Sequence, residues 1–559
     1  MKYGPAVFAL ILLTGYAPAK MEAYSPTRYA DGPLKIEGRP NILWLVTEDI
    51  SPYLACYGDS TAYTPNLDRL AIEGIRYTGV YDVSGVCAPS RSALISGMYP
   101  TYMGTNNMRT QMNFPSINIP AYSVVLPPEV KMFSELMRRG GYYCTNNGKE
   151  DYQFEGLQAG WDENSKTAHY KNAPAGKPFF AMFNFNTTHE SQIWLKKDDP
   201  LLVDPKKITL PPYYPESSVI RRDVARMYSN IAEMDKQVGE MLKELEQHGA
   251  LENTIIIWQS DNGGPLPRGK RELYNTGLRV PLLIRFPHKK SAGSVDNQLI
   301  SFVDFAPTML SLAGIKIPSY MQGRAFAGGQ KGKPRKYIYA ARDRMDANYD
   351  MVRAVGDGRY KYFKNFQPEK PYIQNVTFRL QMDLMKELVL LNEKGALNEV
   401  QRLWFRQSKP VEELYDTHSD PFELHNLAAE PRYAATVKQL RTELSRWMTL
   451  TADKGFIPER QFIASMWPNM VQPQTASPLL ALKGNSVTMA SITPGASLSW
   501  QLVKEGASLN PKNWQLYSQP VVVLPNQALF AFAERIGYRK SEVKELSQNK
   551  KLSNNQVVQ

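Results

Sequence analysis

Apolar runs that end in polar residues mark the first half of the chain. Asn41-Ile42-Leu43-Trp44-Leu45-Val46 is continuously apolar after its first residue and closes on Thr47-Glu48-Asp49. A strand buried on both faces gives this pattern, whereas a strand with one wet face alternates. Phe179 to Phe183 leads likewise to Thr187-Thr188-His189, and Thr254 to Trp258 leads to Ser260-Asp261-Asn262-Gly263. Pro281 to Phe286 and Tyr337 to Ala341 read as further strands. Helical patterns lie between them. From Arg222 to His248, the residues Val224, Met227, Ile231, Met234, Val238, Met241 and Leu245 recur by threes and fours, and Gly249 supplies the stop. Lys131 to Arg139 is a shorter helix ended by Gly140-Gly141. Such alternation predicts an α/β fold, a large, mostly parallel sheet flanked by helices. Ligands of these sheets bind beyond the carboxyl ends of the strands. Three strand ends carrying acids, an amide or a histidine therefore point to one shared crevice.

After about Gln367 the pattern changes. Residues 38–366 read as the catalytic α/β domain and 367–455 as its smaller C-terminal α+β part. Asn375 to Gln407, rich in Leu, Glu, Lys and Arg, reads as helix. Residues 456–478 are proline-rich and read as a connector. Residues 479–546 alternate short β-type runs with turns and predict a small all-β module, and 547–559 form a polar tail. At the other end, Lys2, the short apolar stretch Pro5 to Leu13 and Ala17-Pro18-Ala19 have the form of a cleaved signal peptide over residues 1–19. The expectation is export, to the periplasm or the medium. The apolar stretch is too short to span a bilayer, and no later segment reads as transmembrane.

Composition narrows the class. The 559 residues are 43% apolar and 21% charged, which excludes disordered, collagen-like and coiled-coil chains for the bulk. Three cysteines exclude a disulfide-built scaffold; Cys56 and Cys144 are open to pairing or to remaining free thiols. An excess of 66 Lys+Arg over 54 Asp+Glu suits a polyanionic partner such as nucleic acid or a sulfated polysaccharide, and composition does not choose.

The segment Ser84-Gly85-Val86-Cys87-Ala88-Pro89-Ser90-Arg91-Ser92-Ala93-Leu94-Ile95-Ser96-Gly97 contains Cys-x-Pro-Ser-Arg, then an apolar turn and a glycine. It resembles the signature of type I, formylglycine-dependent sulfatases of the alkaline phosphatase superfamily. Other motifs of that family follow in order: Glu48-Asp49 at a strand end, Thr64-Pro65-Asn66-Leu67-Asp68-Arg69-Leu70, Gly148-Lys149, His189, Asp261-Asn262-Gly263, Lys270 and Gly277-Leu278-Arg279-Val280-Pro281. Leu414-Tyr415-Asp416 and the run from Asp420 to Leu427 resemble its closing motif, so the likeness spans roughly residues 38–450.

The resemblance implies a mechanism. In that family an enzyme oxidises the motif cysteine to formylglycine, which implies 3-oxoalanine at Cys87 and a formylglycine-generating maturation enzyme as partner. One hydroxyl of the hydrated aldehyde attacks sulfur, and the other then drives elimination of the bound sulfate. A serine would be trapped as a stable ester, so the implied nucleophile is modified Cys87 and not Ser90. Glu48, Asp49, Asp261 and Asn262, with the oxygen at Cys87, are the implied metal ligands. These are hard donors, which favours Ca²⁺ over zinc. The family usually has Asp where this chain has Glu48. Arg91 is implied as the bridge between formylglycine and the metal carboxylates, Lys149 and Lys270 as sulfate contacts, and His189 as the group that protonates the leaving alkoxide. Many members read Gly-Lys-x-His where this chain has Gly148-Lys149-Glu150-Asp151; either Asp151 takes the histidine's role or the role is absent. Arg109 and the run Arg342-Asp343-Arg344-Met345-Asp346 resemble pocket-mouth segments, which implies Arg109, Arg342, Arg344 and Asp346 as substrate contacts. The C-terminal module resembles the small β-sandwich appended to some exported carbohydrate-active enzymes. The expected function is an exported, calcium-dependent sulfatase acting on a sulfated polysaccharide or oligosaccharide, with no nucleic-acid partner. A carrageenan-type galactan comes first, heparan-type glycosaminoglycan including an N-sulfate second. A phosphoesterase of the same superfamily and a non-catalytic polyanion-binding protein are the competing classes.

Overall fold

A computed structural model describes residues 38–374 and 376–547. The expected signal peptide and all but the first residue of the expected tail lie outside the described residues. An eight-stranded sheet organises the larger part of the chain, in the order Glu163–Asn164, Tyr143–Asn146, Phe179–Phe185, Asn41–Thr47, Thr254–Ser260, Leu282–Arg285, Ile75–Tyr77 and Ser294–Asp296. The first five strands are parallel, and Leu282–Arg285 runs antiparallel to both of its neighbours. The sheet is thus mixed and mostly parallel. Its direction reversal was not readable from the apolar run, because burial on both faces gives the same pattern in either direction.

Both faces are covered. Ile42, Trp44 and Val46 pack with helices Cys87–Ser96, Phe133–Arg139 and Phe305–Leu312; Leu43 and Leu45 pack with Pro65–Glu73, Ser218–Gln247 and Asp383–Glu393. Trp44 is fully buried and stacked on Phe305 at 5.8 Å. The long helix begins four residues ahead of the expected Arg222, because the Ser217 hydroxyl caps it by accepting from the Val219 amide. Gly249, at φ 70°, lies just past its end as expected.

Register aligns the chemistry. Thr47 pairs with Phe185 on one side and Ser260 on the other. Glu48-Asp49, Thr187-Thr188-His189 and Asp261-Asn262 consequently leave the sheet at one edge.

The chain beyond the main sheet departs from expectation in three places. Ile338–Arg342 belongs to a separate antiparallel sheet with Val352–Gly356, Tyr360–Asn365 and Glu412–Asp416, so the expected boundary at 366 cuts across that sheet. The expected helix from Asn375 to Gln407 contains two α-helices, Asp383–Glu393 and Glu399–Arg402, broken near Gly395 at φ 65° and flanked by the 3-10 turns Arg379–Gln381 and Leu403–Phe405. The expected connector contains the helix Glu459–Met466, whose Phe462 and Ile463 join the main core.

The C-terminal module forms two small sheets around one core of Val487, Met489, Leu498, Val521, Val523, Leu529, Ala531 and Ala533. It docks on the main core through Ile536 and through polar contacts. Lys131 Nζ donates to Gly495 O at 2.7 Å and Ser497 Oγ at 2.8 Å, and the Ala159 amide donates to Glu534 Oε1 at 2.7 Å. Burial pushes the Glu534 carboxyl up to about 7, from 4.5, although the Ala159 and Gln158 amides work the other way. A folded-state pKa above the unfolded one means that the folded protein holds this proton more tightly. Its stabilising contribution is complete below 4.5 and is lost as pH rises through about 7. Stability is expected to fall across that window by up to about 1.4 kcal/mol per pH unit from this group, and Glu534→Gln to remove that slope. Chemical denaturation between pH 4.5 and 7.5 checks it; an unchanged slope in the variant contradicts it.

Candidate active site

Cys87 begins a fully buried helix, Cys87–Ser96, so it stands where free backbone amides and the helix dipole favour negative charge. The loop before it is held by Asp82, which accepts from the Val83 amide at 2.5 Å and the Gly85 amide at 2.6 Å. Gly85 has φ 70°, and a Cβ there would lie 2.7 Å from Glu272 O. No other residue fits that turn without displacing backbone. Cys87 Sγ lies 3.9 Å from Glu48 Oε2, and burial drives the thiol pKa well above its ordinary value. Burial thus disfavours the thiolate, the nucleophilic form of a cysteine.

Glu48, Asp49, Cys87 and Asp261 offer ligand atoms that all lie within 4.8 Å of one another, and all four are buried. Asp49 sits in the left-handed region at φ 51°, uncommon for a non-glycine residue. Its amide donates to Asp261 Oδ1 at 3.2 Å, and its carboxylate accepts from Asn262 Nδ2 at 2.9 Å, Lys270 Nζ at 2.8 Å and the Glu190 amide at 2.7 Å. Asn262 Nδ2 also donates to Gly263 O, while Asn262 Oδ1 is buried with no hydrogen-bond partner. An orphaned carbonyl oxygen beside three buried carboxylates is what a hard divalent cation would take up. The set fits Ca²⁺.

Cations surround the acids. Arg91 reaches Glu48 Oε1 at 2.6 Å, Asp261 Oδ2 at 2.9 Å and Asn184 Oδ1 at 2.8 Å. Lys149 Nζ is 3.1 Å from Glu48 Oε2. The longer Glu48 side chain thus meets Arg91 and Lys149 with separate oxygens and still lies against Cys87. Burial would raise the Glu48 pKa, but Lys149 and Arg91 outweigh it and hold the carboxyl below its ordinary range. Burial raises Asp261 to about 7, reinforced by Glu48 and opposed by Arg91. Burial also works against the Lys270 ammonium, yet Asp49 keeps its pKa raised.

His189 is half-buried, with a ring nitrogen within 4.8 Å of Cys87 Sγ and a Glu48 oxygen. Its Nδ1 accepts from the Ser191 amide at 3.3 Å and lies 2.8 Å from Ser191 Oγ. That contact assigns the proton of the neutral ring to Nε2. Burial first, and Lys270 second, lower its pKa.

The expected substrate residues divide. Arg109 and Asp346 face each other at 3.3 Å, both in left-handed conformations, and line an open cavity of about 530 Å³ with Phe114, Asn348 and Phe378. Phe378 lies 6.3 Å from the His189 ring and packs against a cluster containing Val86 and Ala88, the two residues flanking Cys87. Arg342 and Arg344 are elsewhere. Arg342 is buried in ion pairs with Glu272 and Asp350. Arg344 is fully buried against Glu459 at 2.7 Å and donates to Met108 O at 3.1 Å. Both guanidinium groups are committed to buried carboxylates and do not line the cavity, although Arg342 Nε keeps no hydrogen-bond partner. Arg344 instead ties together the loops that carry Arg109 and Asp346. Asp151 is exposed and lies 3.7 Å from Lys149 Nζ. Cys56, Cys87 and Cys144 are all free thiols, so Cys56 and Cys144 do not pair.

Three participants went unread in the sequence. Asn184 supports Arg91, and Glu190 and Arg271 form a buried pair beside Lys270. The available signal was position alone: each is polar and adjoins a motif residue or a strand end.

A buried acidic cluster ringed by cations, at the carboxyl edge of a mostly parallel sheet, is the setting of a hydrolase that acts on charged esters. Comparison with known proteins narrows this. The sulfatase family model matches residues 40–315, and that of the N-sulphoglucosamine sulphohydrolase C-terminal region matches 268–372. An ulvan-active sulfatase of Formosa agariphila is 44% identical over 550 residues, covering 92% of each chain. Human N-sulphoglucosamine sulphohydrolase is 25% identical over 469 residues, covering 74% of this chain and 90% of its own. A solved protein in complex with its substrate D-glucosamine-2-N,6-O-disulfate shares the fold, with a TM-score of 0.54 at 19% identity over 75% of this chain and 100% of that one. The chain belongs to the sulfatase family; it is a sulfuric ester hydrolase.

Proposed function

We propose that this sulfatase is exported and removes sulfate from a polysaccharide or its oligosaccharides, with ulvan as the leading substrate. The observation that carries the reading is the roughly 530 Å³ cavity whose lining residue Phe378 lies 6.3 Å from the His189 ring and packs on the cluster that holds Val86 and Ala88. It has room for a sugar ring beside Phe378, over which the Arg109 guanidinium stacks at 4.9 Å, and it presents the donor–acceptor pair Arg109 and Asp346. The 44% identical relative is ulvan-active, which sets ulvan ahead of the carrageenan-type galactan and the glycosaminoglycans. Lys2, the apolar stretch Pro5 to Leu13 and Ala17-Pro18-Ala19 support export. No helix among the described residues is long and apolar enough to cross a membrane.

In this reading Glu48, Asp49, Asp261 and Asn262 hold Ca²⁺, and Cys87 matures to formylglycine. Together these groups supply the nucleophile and charge neutralisation that sulfate ester cleavage requires. The chain's own residues do the rest. Arg91 ties Glu48 and Asp261 together with its fork, within reach of Cys87. Lys149 and Lys270 present ammonium groups to the sulfate oxygens from opposite carboxylates, Glu48 and Asp49. His189 holds its proton on Nε2 for the leaving oxygen. Asp151, paired with Lys149 at the exposed rim, steadies that ammonium.

The test is desulfation of ulvan, carrageenan and heparin oligosaccharides in parallel, read by chromatography, with aryl sulfate and aryl phosphate as controls. Sulfate release from ulvan oligosaccharides is expected. Preference for aryl phosphate, or release only from heparin, contradicts the reading. Arg109→Ala is expected to raise KM for the oligosaccharide about tenfold while changing turnover of aryl sulfate little, since a hydrogen bond to a charged group contributes about 1.5 kcal/mol.

A further inference from the structure

Glu190 follows His189 and is 1% exposed, yet its carboxylate has no role in the mechanism above. Its surroundings are all functional. Its amide donates to Asp49 Oδ2 at 2.7 Å. Its two carboxylate oxygens take the two terminal nitrogens of Arg271, one at 2.7 Å. Lys270 Nζ lies 3.4 Å from Glu190 Oε1 and 2.8 Å from Asp49 Oδ2, so two carboxylates share one ammonium. Arg271 is left-handed at φ 74°, and its amide donates at 2.6 Å to Gly85 O, two residues before Cys87.

We propose that Glu190, braced by Arg271, is a positioning residue for sulfate hydrolysis that holds the Lys270 ammonium between two carboxylates and anchors the His189 turn to Asp49. The proposal rests on the sulfatase reading above. Its physical basis is a balance of charges. A lone Asp49–Lys270 pair would draw the ammonium wholly onto Asp49, taking it from the sulfate and screening Asp49 from a cation. Glu190 supplies the opposing pull, and Arg271 neutralises the second negative charge so that Glu190 can stay ionised in a dry site. A pair present only for stability would not need this setting, since apolar replacements of buried ion pairs are often as stable.

Glu190→Gln keeps the shape and removes the charge. Its kcat/KM on aryl sulfate is expected to fall about 10- to 100-fold, with weaker inhibition by inorganic sulfate and a smaller rise of Tm on adding Ca²⁺. Glu190→Gln/Arg271→Met avoids a buried unpaired guanidinium and is expected to show the same three losses. Glu190→Gln/Lys270→Met is expected to be no slower than Lys270→Met, because Glu190 acts through Lys270. The proposal is overturned if the losses from Glu190→Gln and Lys270→Met multiply, or if the charge-balanced variant keeps wild-type kcat/KM, sulfate inhibition and Ca²⁺ response. Failure of the wild type to release sulfate from any substrate would instead overturn the functional reading beneath it.

Discussion

Cys87→Ala is expected to lose turnover by a factor on the order of 10⁴ or more while keeping its fold. The side chain is small and 2% exposed, and it makes one weak contact, at 3.9 Å to Glu48. Truncation leaves Arg91, Asp261 and Lys149 in their ion pairs, so the variant should melt near the wild type and still bind oligosaccharide. Binding energy without a nucleophile gives affinity and no chemistry. Sulfate release at more than a trace level from homogeneous Cys87→Ala would assign the nucleophile elsewhere.

Asp49→Asn comes next in size. Asp49 carries three hydrogen bonds on its carboxylate, from Asn262, Lys270 and the Glu190 amide, and adopts a strained backbone to do so. An amide keeps the size and loses half of that acceptor capacity together with the charge. The expected result is a fall in kcat/KM on the order of 10³-fold and no stabilisation by calcium. In the wild type, Ca²⁺ at about 100 times its dissociation constant should add about 2.7 kcal/mol of stability, and chelation should remove both this gain and the activity. An equal rise of Tm in Asp49→Asn and wild type would show that the cation binds elsewhere.

The parts of this architecture that were legible are those in which one residue type serves one purpose. Leu43, Trp44 and Leu45 read as a doubly buried strand because no polar residue survives there, and the acids just after it stood out by contrast. Direction was hidden for Leu282–Arg285, since antiparallel and parallel strands share one burial pattern. Arginines were the hardest residues to place. Arg342 and Arg344 lie beside the expected pocket mouth in sequence, but their partners Glu272 and Glu459 come from separate segments, and a side chain's partner is invisible in one dimension. Glu459 sits in a stretch whose prolines suggested a bare connector, although Pro458 directly precedes its helix. Glu190 and Arg271 were masked by their neighbours His189 and Lys270, which already had roles.

The most direct measurement is the mass of the peptide containing residue 87 in active protein from a host able to mature it. Loss of sulfur and two hydrogens with gain of one oxygen should leave that peptide about 18 Da lighter and reactive towards hydrazides, with specific activity proportional to the converted fraction. An intact thiol at Cys87 in protein of full activity would contradict the account.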